Sequence, residues 1–210
     1  MNLHKKLNWR YATKRMTGQL IPEKKLHRIL EAIRLSASSM GLQPYHILII
    51  SNPTVKAKIH EAACSQPQII ECSHLLVFAS WTSISEKDVD LFIQNTANTR
   101  EMPLEKLSGL KNTILHLSEN KTAEQVQAWT DKQAYIALGV GLVAAANESI
   151  DACPMEGFDA NLMDKILGLK EKNLHTAVLM TLGYRAIEND WLVKLKKVRR
   201  SNENLYTIIA

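Results

Sequence analysis

The sequence AYIALGVGLVAAA, residues 134–146, forms the second half of a segment that opens with a strong helix signal. Thr122 and Gln125 have the spacing of a capping box, in which a hydroxyl and an amide satisfy free backbone N–H groups at a helix start. The pattern predicts one long helix from this cap to Asn147. Because its second half is almost entirely apolar and small, we expect burial all round, at the centre of a domain or of a dimer.

Helical and strand-like segments are mixed on both sides of this helix. Helical spacing of apolar residues predicts further helices at residues 22–35, 53–63, 86–98, 103–117 and 159–167. Apolar runs predict buried strands at residues 45–50, 75–79 and 176–182, a short strand at 150–153 ended by Pro154, and a terminal strand at 205–209. This mixture predicts an α+β or α/β protein.

Composition limits the class of protein. The chain has 210 residues, of which 46% are hydrophobic and 22% charged, as expected for one domain or one domain with arms. Its three cysteines form no CxxC pair, so a disulfide framework or zinc knuckle is not expected. The longest apolar run, residues 134–146, is shorter than the roughly 17–25 residues of a membrane-spanning helix. We therefore expect a soluble, cytoplasmic protein with no membrane partner.

The positive charge of the chain is local. The net charge is +5, and residues 194–200 (KLKKVRR) alone contain five basic residues. A local cluster suits a discrete phosphate better than a long polyanion. Binding to RNA or DNA remains an alternative, although this stretch contains no aromatic residue and only Trp191 and Tyr206 flank it.

Several short motifs have a simpler explanation than catalysis. GVGLVA, residues 139–144, matches a dinucleotide fingerprint, but it lies inside a continuing helix whose N–H groups are already used. Close helix packing explains its glycines better. Ser108 and Lys111 match SxxK without the companion motifs of a serine acyltransferase. The histidines have no metal-ligand spacing, and we predict no metal site.

Three features suggest a site for an anionic, flat ligand. Arg10 and Lys14 are four residues apart, and two such cations can hold an anion. Residues 154–158 (PMEGF) form a turn after a strand, where a glycine lets backbone N–H groups approach a ligand closely. The basic stretch 194–200 is the third feature.

Together, these features resemble the FMN-dependent NAD(P)H nitroreductase family over residues 9–200. The resemblance is carried in order by Arg10, Lys14 and the segments 38–45 (SSMGLQPY), 65–68 (SQPQ), 73–78 (SHLLVF), 154–159 (PMEGFD), 182–185 (LGYR) and 197–199 (KVR). It implies an α+β fold, with a mixed, mainly antiparallel sheet flanked by helices. It also implies an intertwined homodimer with C-terminal strand exchange. Residues 1–210 would form one domain, whose C-terminal arm, residues 186–210, embraces the partner subunit and adds the strand 205–209 to its sheet.

The resemblance also assigns cofactor-binding residues. Arg10, Lys197 and Arg199 would bind the FMN phosphate, and Lys14 would lie near the ribityl chain or the pyrimidine edge. Ser65 and Gln68 would contact the flavin, and Ser38 and Ser39 would reach it from the other subunit. The backbone of Glu156 and Gly157 would lie over the flavin face near N5, which is the reactive centre in place of a catalytic side chain. The set is completed by Tyr11, Ala12, Pro154 and Met155.

The activity implied by the resemblance is a ping-pong oxidoreductase reaction. NAD(P)H, the co-substrate, would pass hydride to bound FMN, and a nitroaromatic or quinone would then take the electrons. A flavin or pteridine reductase, or a reductase of one metabolite, stays open as an alternative because the acceptor pocket lies in variable segments such as residues 88–120. The distant alternative is a flavin-free nucleic-acid-binding module that uses the basic C-terminal patch.

Overall fold

Four strands form one sheet in the computed structural model, which describes residues 2–119 and 121–209. They are β1 (Tyr45–Ile50), β2 (His74–Trp81), β3 (Asp151–Met155) and β4 (Leu174–Gly183), in the order β1-β2-β4-β3. All three strand pairs are antiparallel, and within the described ranges the one parallel pairing is an isolated bridge between Ala12 and Ala152. The α+β prediction, with a mainly antiparallel sheet, is confirmed.

Helices surround this sheet. They are α1 (Leu3–Trp9), α2 (Glu23–Arg34), α3 (Pro53–Ala62), α4 (Gln68–Glu71), α5 (Glu86–Arg100), α6 (Ser108–Glu119), α7 (Ala123–Asn147), α8 (Ala160–Leu167) and α9 (Asn202–Leu205). Short 3-10 turns occur at Ser39–Gly41, Leu104–Leu107 and Lys170–Lys172. Among the described residues, no helix combines the length and the apolar character that crossing a bilayer requires.

The capping box at the start of α7 is present. The Gln125 N–H donates to Thr122 Oγ1 at 3.3 Å, and the Thr122 N–H donates to Gln125 Oε1 at 3.0 Å. The predicted long helix is therefore confirmed, but the chain buries only one of its sides. Ile136 and Val143 are 44% and 39% exposed on the other side. The prediction that α7 is buried all round at the centre of the domain was therefore wrong.

The core lies on both faces of the sheet, because successive strand residues point to opposite sides. Phe78 and Met180 pack with α2 and α7 on one face, whereas Val77 and Leu179 pack with α3 and α8 on the other. A Cβ at Gly141 would lie 3.1 Å from side-chain atoms of Ile33 and Met180. Close packing, the predicted role of the α7 glycines, therefore holds at Gly141 but not at Gly139, where no described atom of another element lies within 4 Å of such a Cβ.

The structure differs from the prediction at both ends of the chain and at both edge strands. The basic residues before Arg10 form helix α1. Strand β3 continues through Pro154, since an edge strand tolerates a residue without an N–H. Strand β1 is the other edge and is only partly buried, with Ile49 46% exposed. In the single chain, Asn202–Leu205 is a helical turn and residues 206–209 lie in no strand, so the strand predicted at 205–209 stays a prediction for the dimer.

Candidate functional site

Five basic residues line one cavity of about 650 Å³, and three of them, from opposite ends of the chain, are predicted phosphate ligands. Arg10 follows the end of α1, and Lys197 and Arg199 lie in the C-terminal basic stretch. Tyr11, Ala12 and Pro154 also line this cavity, together with Asn8, Trp9, Arg185, Leu192, Val193, Leu195, Lys196 and Val198. The structure therefore brings together six of the predicted cofactor-binding residues. We call this space the basic cavity.

The basic cavity carries positive charge without a matching acid. Burial lowers the pKa of Arg10, and the charge of Arg199 lowers it further. Burial also lowers the pKa of Lys197, as do the charges of Arg10 and Arg199. None of the three forms an ion pair within residues 2–119 and 121–209, and the cavity lining contains no Asp or Glu. Such a site favours an anion.

Lys197 joins the two chain ends at this cavity. Its Nζ donates to the backbone carbonyl of Arg10 at 2.5 Å and also to that of Leu7, at the end of α1. The Arg199 side chain makes no hydrogen bond to a distant segment of the described chain. Its Nη1 donates to the carbonyl of the adjacent Val198. Lys197 therefore fixes the C-terminal stretch beside Arg10, whereas the Arg199 side chain stays exposed.

Arg185, just after the end of β4, holds the residues on both sides of Arg10. Its guanidinium lies 4.4 Å from the centre of the Trp9 ring and 4.7 Å from that of Tyr11, as in cation–π contacts. Its Nε donates to Asp151 Oδ1 at 2.9 Å, and its backbone N–H donates to Asp151 Oδ2 at 2.8 Å. These contacts of Arg185 hold Trp9 and Tyr11, and thereby the backbone of Arg10 between them, in the lining of the basic cavity.

Asp190 holds the next segment. This buried carboxylate accepts the Tyr11 hydroxyl at 2.8 Å and the Lys14 backbone N–H at 2.9 Å. Burial raises the pKa of Tyr11, and the hydrogen bond to Asp190 raises it further, so this hydroxyl remains a donor. Lys14 lies near Cys153 on β3: burial raises the pKa of that thiol, and the charge of Lys14 partly offsets the effect.

The loop after β3, residues 156–159, lies against the segment that contains Ser65 and Gln68. We call it the β3 loop. The carbonyl of Gly157 accepts from Gln66 Nε2 at 3.3 Å and from the Cys64 thiol at 3.5 Å. A Cβ at Gly157 would lie 3.0 Å from Gln66 Nε2, so glycine permits this close approach. The backbone N–H groups of Glu156 and Gly157 make no hydrogen bond to another described residue. Two donors are thus available beside the buried side chain of Met155.

Unpaired polar atoms mark the same segments. Four buried side-chain N or O atoms lack a hydrogen-bond partner among the residues that the structure describes, and three of them are Arg10 Nε, Thr13 Oγ1 and Gln68 Oε1. Buried polar groups are normally hydrogen-bonded, so such atoms require an explanation. Their place next to the basic cavity and the β3 loop fits a polar ligand that has several acceptors and donors.

Ser38 and Ser39 lie in a different part of the chain. Ser38 Oγ accepts the Gln43 N–H at 2.9 Å, and the Ser39 N–H donates to Gln133 Oε1 on α7 at 2.8 Å. They do not line the basic cavity of their own chain. A larger cavity, of about 970 Å³, lies between α1, α2 and α7 and contains none of the predicted site residues.

Sequence reasoning missed three residues that organise the site. Arg185 belongs to a segment that carries the family resemblance, but no role was predicted for it, nor for Asp190 and Tyr135. The Tyr135 hydroxyl donates to Glu156 Oε1 at 2.7 Å. Each contact joins residues at least 21 positions apart, and a single sequence carries no local signal for it.

Comparison with known proteins gives one consistent result. The model of the nitroreductase family matches residues 7–184. The major NAD(P)H-flavin oxidoreductase of Aliivibrio fischeri is 30% identical over 95% of both chains. The oxygen-insensitive NAD(P)H nitroreductase of Salmonella typhimurium is 28% identical over 94% of this chain and 95% of its own. A solved structure from Exiguobacterium sibiricum, described as a nitroreductase in complex with FMN, has a TM-score of 0.83 at 19% identity, covering 100% of this chain and 98% of that one.

Proposed function

This chain belongs to the nitroreductase family, and on that premise we propose that its basic cavity binds the phosphate of FMN. The chain is an FMN-dependent NAD(P)H oxidoreductase, in line with its family and its relatives. The resemblance drawn from scattered segments of the sequence is thereby confirmed. We further propose which residues hold the cofactor, which acceptors are reduced and how the chains assemble.

The observation that carries the phosphate assignment is the set of three cations without a counter-charge. Arg10, Lys197 and Arg199 come from segments almost 190 residues apart and still converge on one cavity. Each charge-assisted hydrogen bond to a phosphate contributes about 1.5–3 kcal/mol. The planar fork of arginine matches two phosphate oxygens at once. Mutual repulsion of the cations would be relieved by the bound anion.

The remaining residues fit the rest of FMN. We assign Lys14 to the ribityl chain or the pyrimidine edge, since it follows the segment that lines the cavity. Gln68 offers a buried carbonyl oxygen without a partner among the described residues, and Ser65 is exposed on the same segment. The free N–H groups of Glu156 and Gly157 would face the flavin ring. Tyr11, Ala12, Pro154 and Met155 would form the wall between these groups.

When bound, FMN supplies the redox chemistry, taking hydride from NAD(P)H and passing it to an oxidised acceptor. The chain binds and orients the flavin, and its cations stabilise negative charge beside it. We propose nitroaromatics or quinones as acceptors that occupy the nicotinamide site in turn, by a ping-pong mechanism. A cytoplasmic location stays a prediction of the sequence.

We also propose that the enzyme is a homodimer. The side of α7 that includes Ile136 and Val143 is exposed, and so are Ile208 and Ile209 in the C-terminal arm, at 91% and 93%. Exposed apolar surface of this kind, on a chain terminus and on a helix face, is typical of a protein–protein interface. The arm, residues 186–210, would embrace the partner, with 205–209 forming a strand there. Ser38 and Ser39 would reach the flavin of the partner.

The assembly has a direct test. Deletion of residues 205–210 should weaken dimerisation, because it removes exposed apolar side chains from the arm while it keeps Lys197 and Arg199. Sedimentation equilibrium of the full and truncated chains measures the dissociation constant. An unchanged constant would exclude the arm as a dimer contact.

The cofactor and the activity have a second test. Purified protein should be yellow, or become so on loading with FMN, and should bleach on addition of NADPH without air. Re-oxidation by a quinone or a nitrofuran should restore the absorbance over many cycles. Protein that cannot be loaded with FMN would refute the proposed function.

Reduction of free flavin is a second candidate activity, favoured by the flavin oxidoreductase among the relatives. Steady-state kcat/KM values for a quinone, a nitrofuran, free flavin and an enone would rank the acceptors. A value for free flavin well above the others would make this the main activity.

A further inference from the structure

One hydrogen bond links the β3 loop to the central helix. The Tyr135 hydroxyl on α7 donates to Glu156 Oε1 at 2.7 Å. Among the described residues, the Glu156 carboxylate has no other hydrogen-bond donor and no cation within ion-pair distance. The side chain of Glu156 is otherwise exposed, so this bond alone fixes its direction.

The surroundings of Tyr135 keep it in the donor role. Burial raises the pKa of Tyr135, and the hydrogen bond and charge of Glu156 raise it further, as does the charge of Asp131 one helical turn earlier. Asp131 is already engaged, because its Oδ1 lies 2.7 Å from His175 Nε2 and accepts the Ser80 hydroxyl at 2.5 Å. The Tyr135 hydroxyl is thus protonated and directed to Glu156.

The same loop is anchored on its other side. The Gly157 carbonyl accepts from Gln66 and Cys64, and the Phe158 N–H donates to the Glu156 carbonyl at 2.9 Å. Between the two anchors lie the backbone N–H groups of Glu156 and Gly157, which bond to no described residue. Loss of either anchor would let these donors change direction.

We propose that Tyr135 is a positioning residue that holds the Glu156–Gly157 backbone in the orientation needed for hydride transfer at the flavin, acting through the Glu156 carboxylate. The proposal rests on the proposed function, since it assumes that this backbone faces the flavin. Its role differs from that of the basic cavity: the cations determine how tightly FMN binds, whereas Tyr135 determines how well the loop is aligned.

The test uses Tyr135→Phe, Glu156→Ala and the double variant. In Tyr135→Phe, the rate constant of flavin reduction by NADPH should fall about tenfold, the size expected for a lost hydrogen bond to a charged group. The Kd for FMN should stay within about threefold, because the phosphate contacts remain. The double variant should be no slower than Glu156→Ala, since coupled residues give non-additive effects.

A second readout needs no flavin. Hydrogen exchange of the Phe158 N–H, which donates to the Glu156 carbonyl, should be about tenfold faster in FMN-free Tyr135→Phe than in the wild type. Glu156→Ala breaks the same bond from an exposed position and should give the same acceleration. Tyr184→Phe is the matched control, because the half-buried Tyr184 hydroxyl bonds to no described residue, and it should change neither readout.

The outcomes separate the two proposals. Wild-type protein that binds no FMN refutes the proposed function. If the wild type binds FMN, unchanged hydrogen exchange or an unchanged rate of flavin reduction in Tyr135→Phe overturns the role of Tyr135. A double variant whose loss of rate equals the product of the two single losses also overturns it.

Discussion

Two groups of basic residues in this chain have opposite surroundings. Arg15 and Arg185 are each matched with a carboxylate: Arg15 Nε lies 2.8 Å from Glu71 Oε1, and Arg185 Nε lies 2.9 Å from Asp151 Oδ1. Arg10, Lys197 and Arg199 line the basic cavity, and none of them forms an ion pair within the described chain. The matched group shapes the fold around the cavity, and the unmatched group gives the cavity its charge.

The difference separates the structural role that the contacts of the first group show from the binding role that we propose for the second. A buried pair such as Arg185 and Asp151 is costly to break, because the remaining charge stays buried without a partner. Three neighbouring cations instead repel one another in the free chain, and an anion relieves the repulsion. The first group should therefore control stability, and the second should control affinity.

Breaking the buried pair should have the largest effect. Asp151→Asn leaves the Arg185 guanidinium without its charged partner, and the free energy of unfolding should fall by about 3–5 kcal/mol. Urea denaturation at pH 7 measures it. The control is Glu31→Gln, which breaks the exposed pair with Arg34 and should leave the midpoint unchanged. Equal midpoints for wild type and Asp151→Asn would contradict a structural role for this pair.

Removing one cation of the cavity should affect affinity instead. Arg199→Ala should raise the Kd for FMN about 10- to 100-fold, the equivalent of one charge-assisted bond. The free energy of unfolding without FMN should not fall, because the substitution removes the repulsion that Arg199 exerts on Arg10 and Lys197. Fluorescence titration and urea denaturation measure the two quantities. Arg200→Ala is the matched control, since Arg200 is exposed and does not line the cavity; equal affinities for the two variants would refute the phosphate assignment.

The smallest effect should appear as a pH dependence of FMN affinity. Burial, Arg10 and Arg199 lower the pKa of Lys197 from 10.5, whereas a bound phosphate favours the charged form and raises it again. Binding therefore takes up a proton, and affinity should fall as the pH rises through the pKa of Lys197 in the free chain. Titrations from neutral pH up to 10.5, the ordinary pKa of lysine, test this dependence.

Lys197→Arg is the control for this titration. Arginine keeps its charge at these pH values, so the affinity of this variant should depend less on pH than that of the wild type. Identical slopes for wild type and Lys197→Arg would show that Lys197 does not contact the phosphate.

Local signals in the sequence account for much of the fold. The capping box of Thr122 predicted α7, and apolar runs predicted the strands β1, β2 and β4. Helix α1 was missed because it buries no residue and so has no strong apolar face. The end of β3 was missed because a proline is tolerated only on an edge strand, and strand order is not encoded locally.

The site was predictable only where residues match the family. The cations of the basic cavity were proposed from that resemblance, and the structure brings them together. Arg185, Asp190 and Tyr135 act through pairs that form only in the folded chain, between residues 34, 179 and 21 positions apart. No spacing rule connects such residues, so their roles follow from coordinates alone.

Titration of the FMN-free chain with FMN and with riboflavin isolates the contribution of the phosphate, because the two ligands differ only by that group. If the basic cavity holds the phosphate, FMN should bind at least about 100-fold more tightly than riboflavin. In Arg199→Ala, the ratio of the Kd for riboflavin to the Kd for FMN should be smaller. Equal affinities of the wild-type chain for the two flavins would show that the three cations do not bind the cofactor.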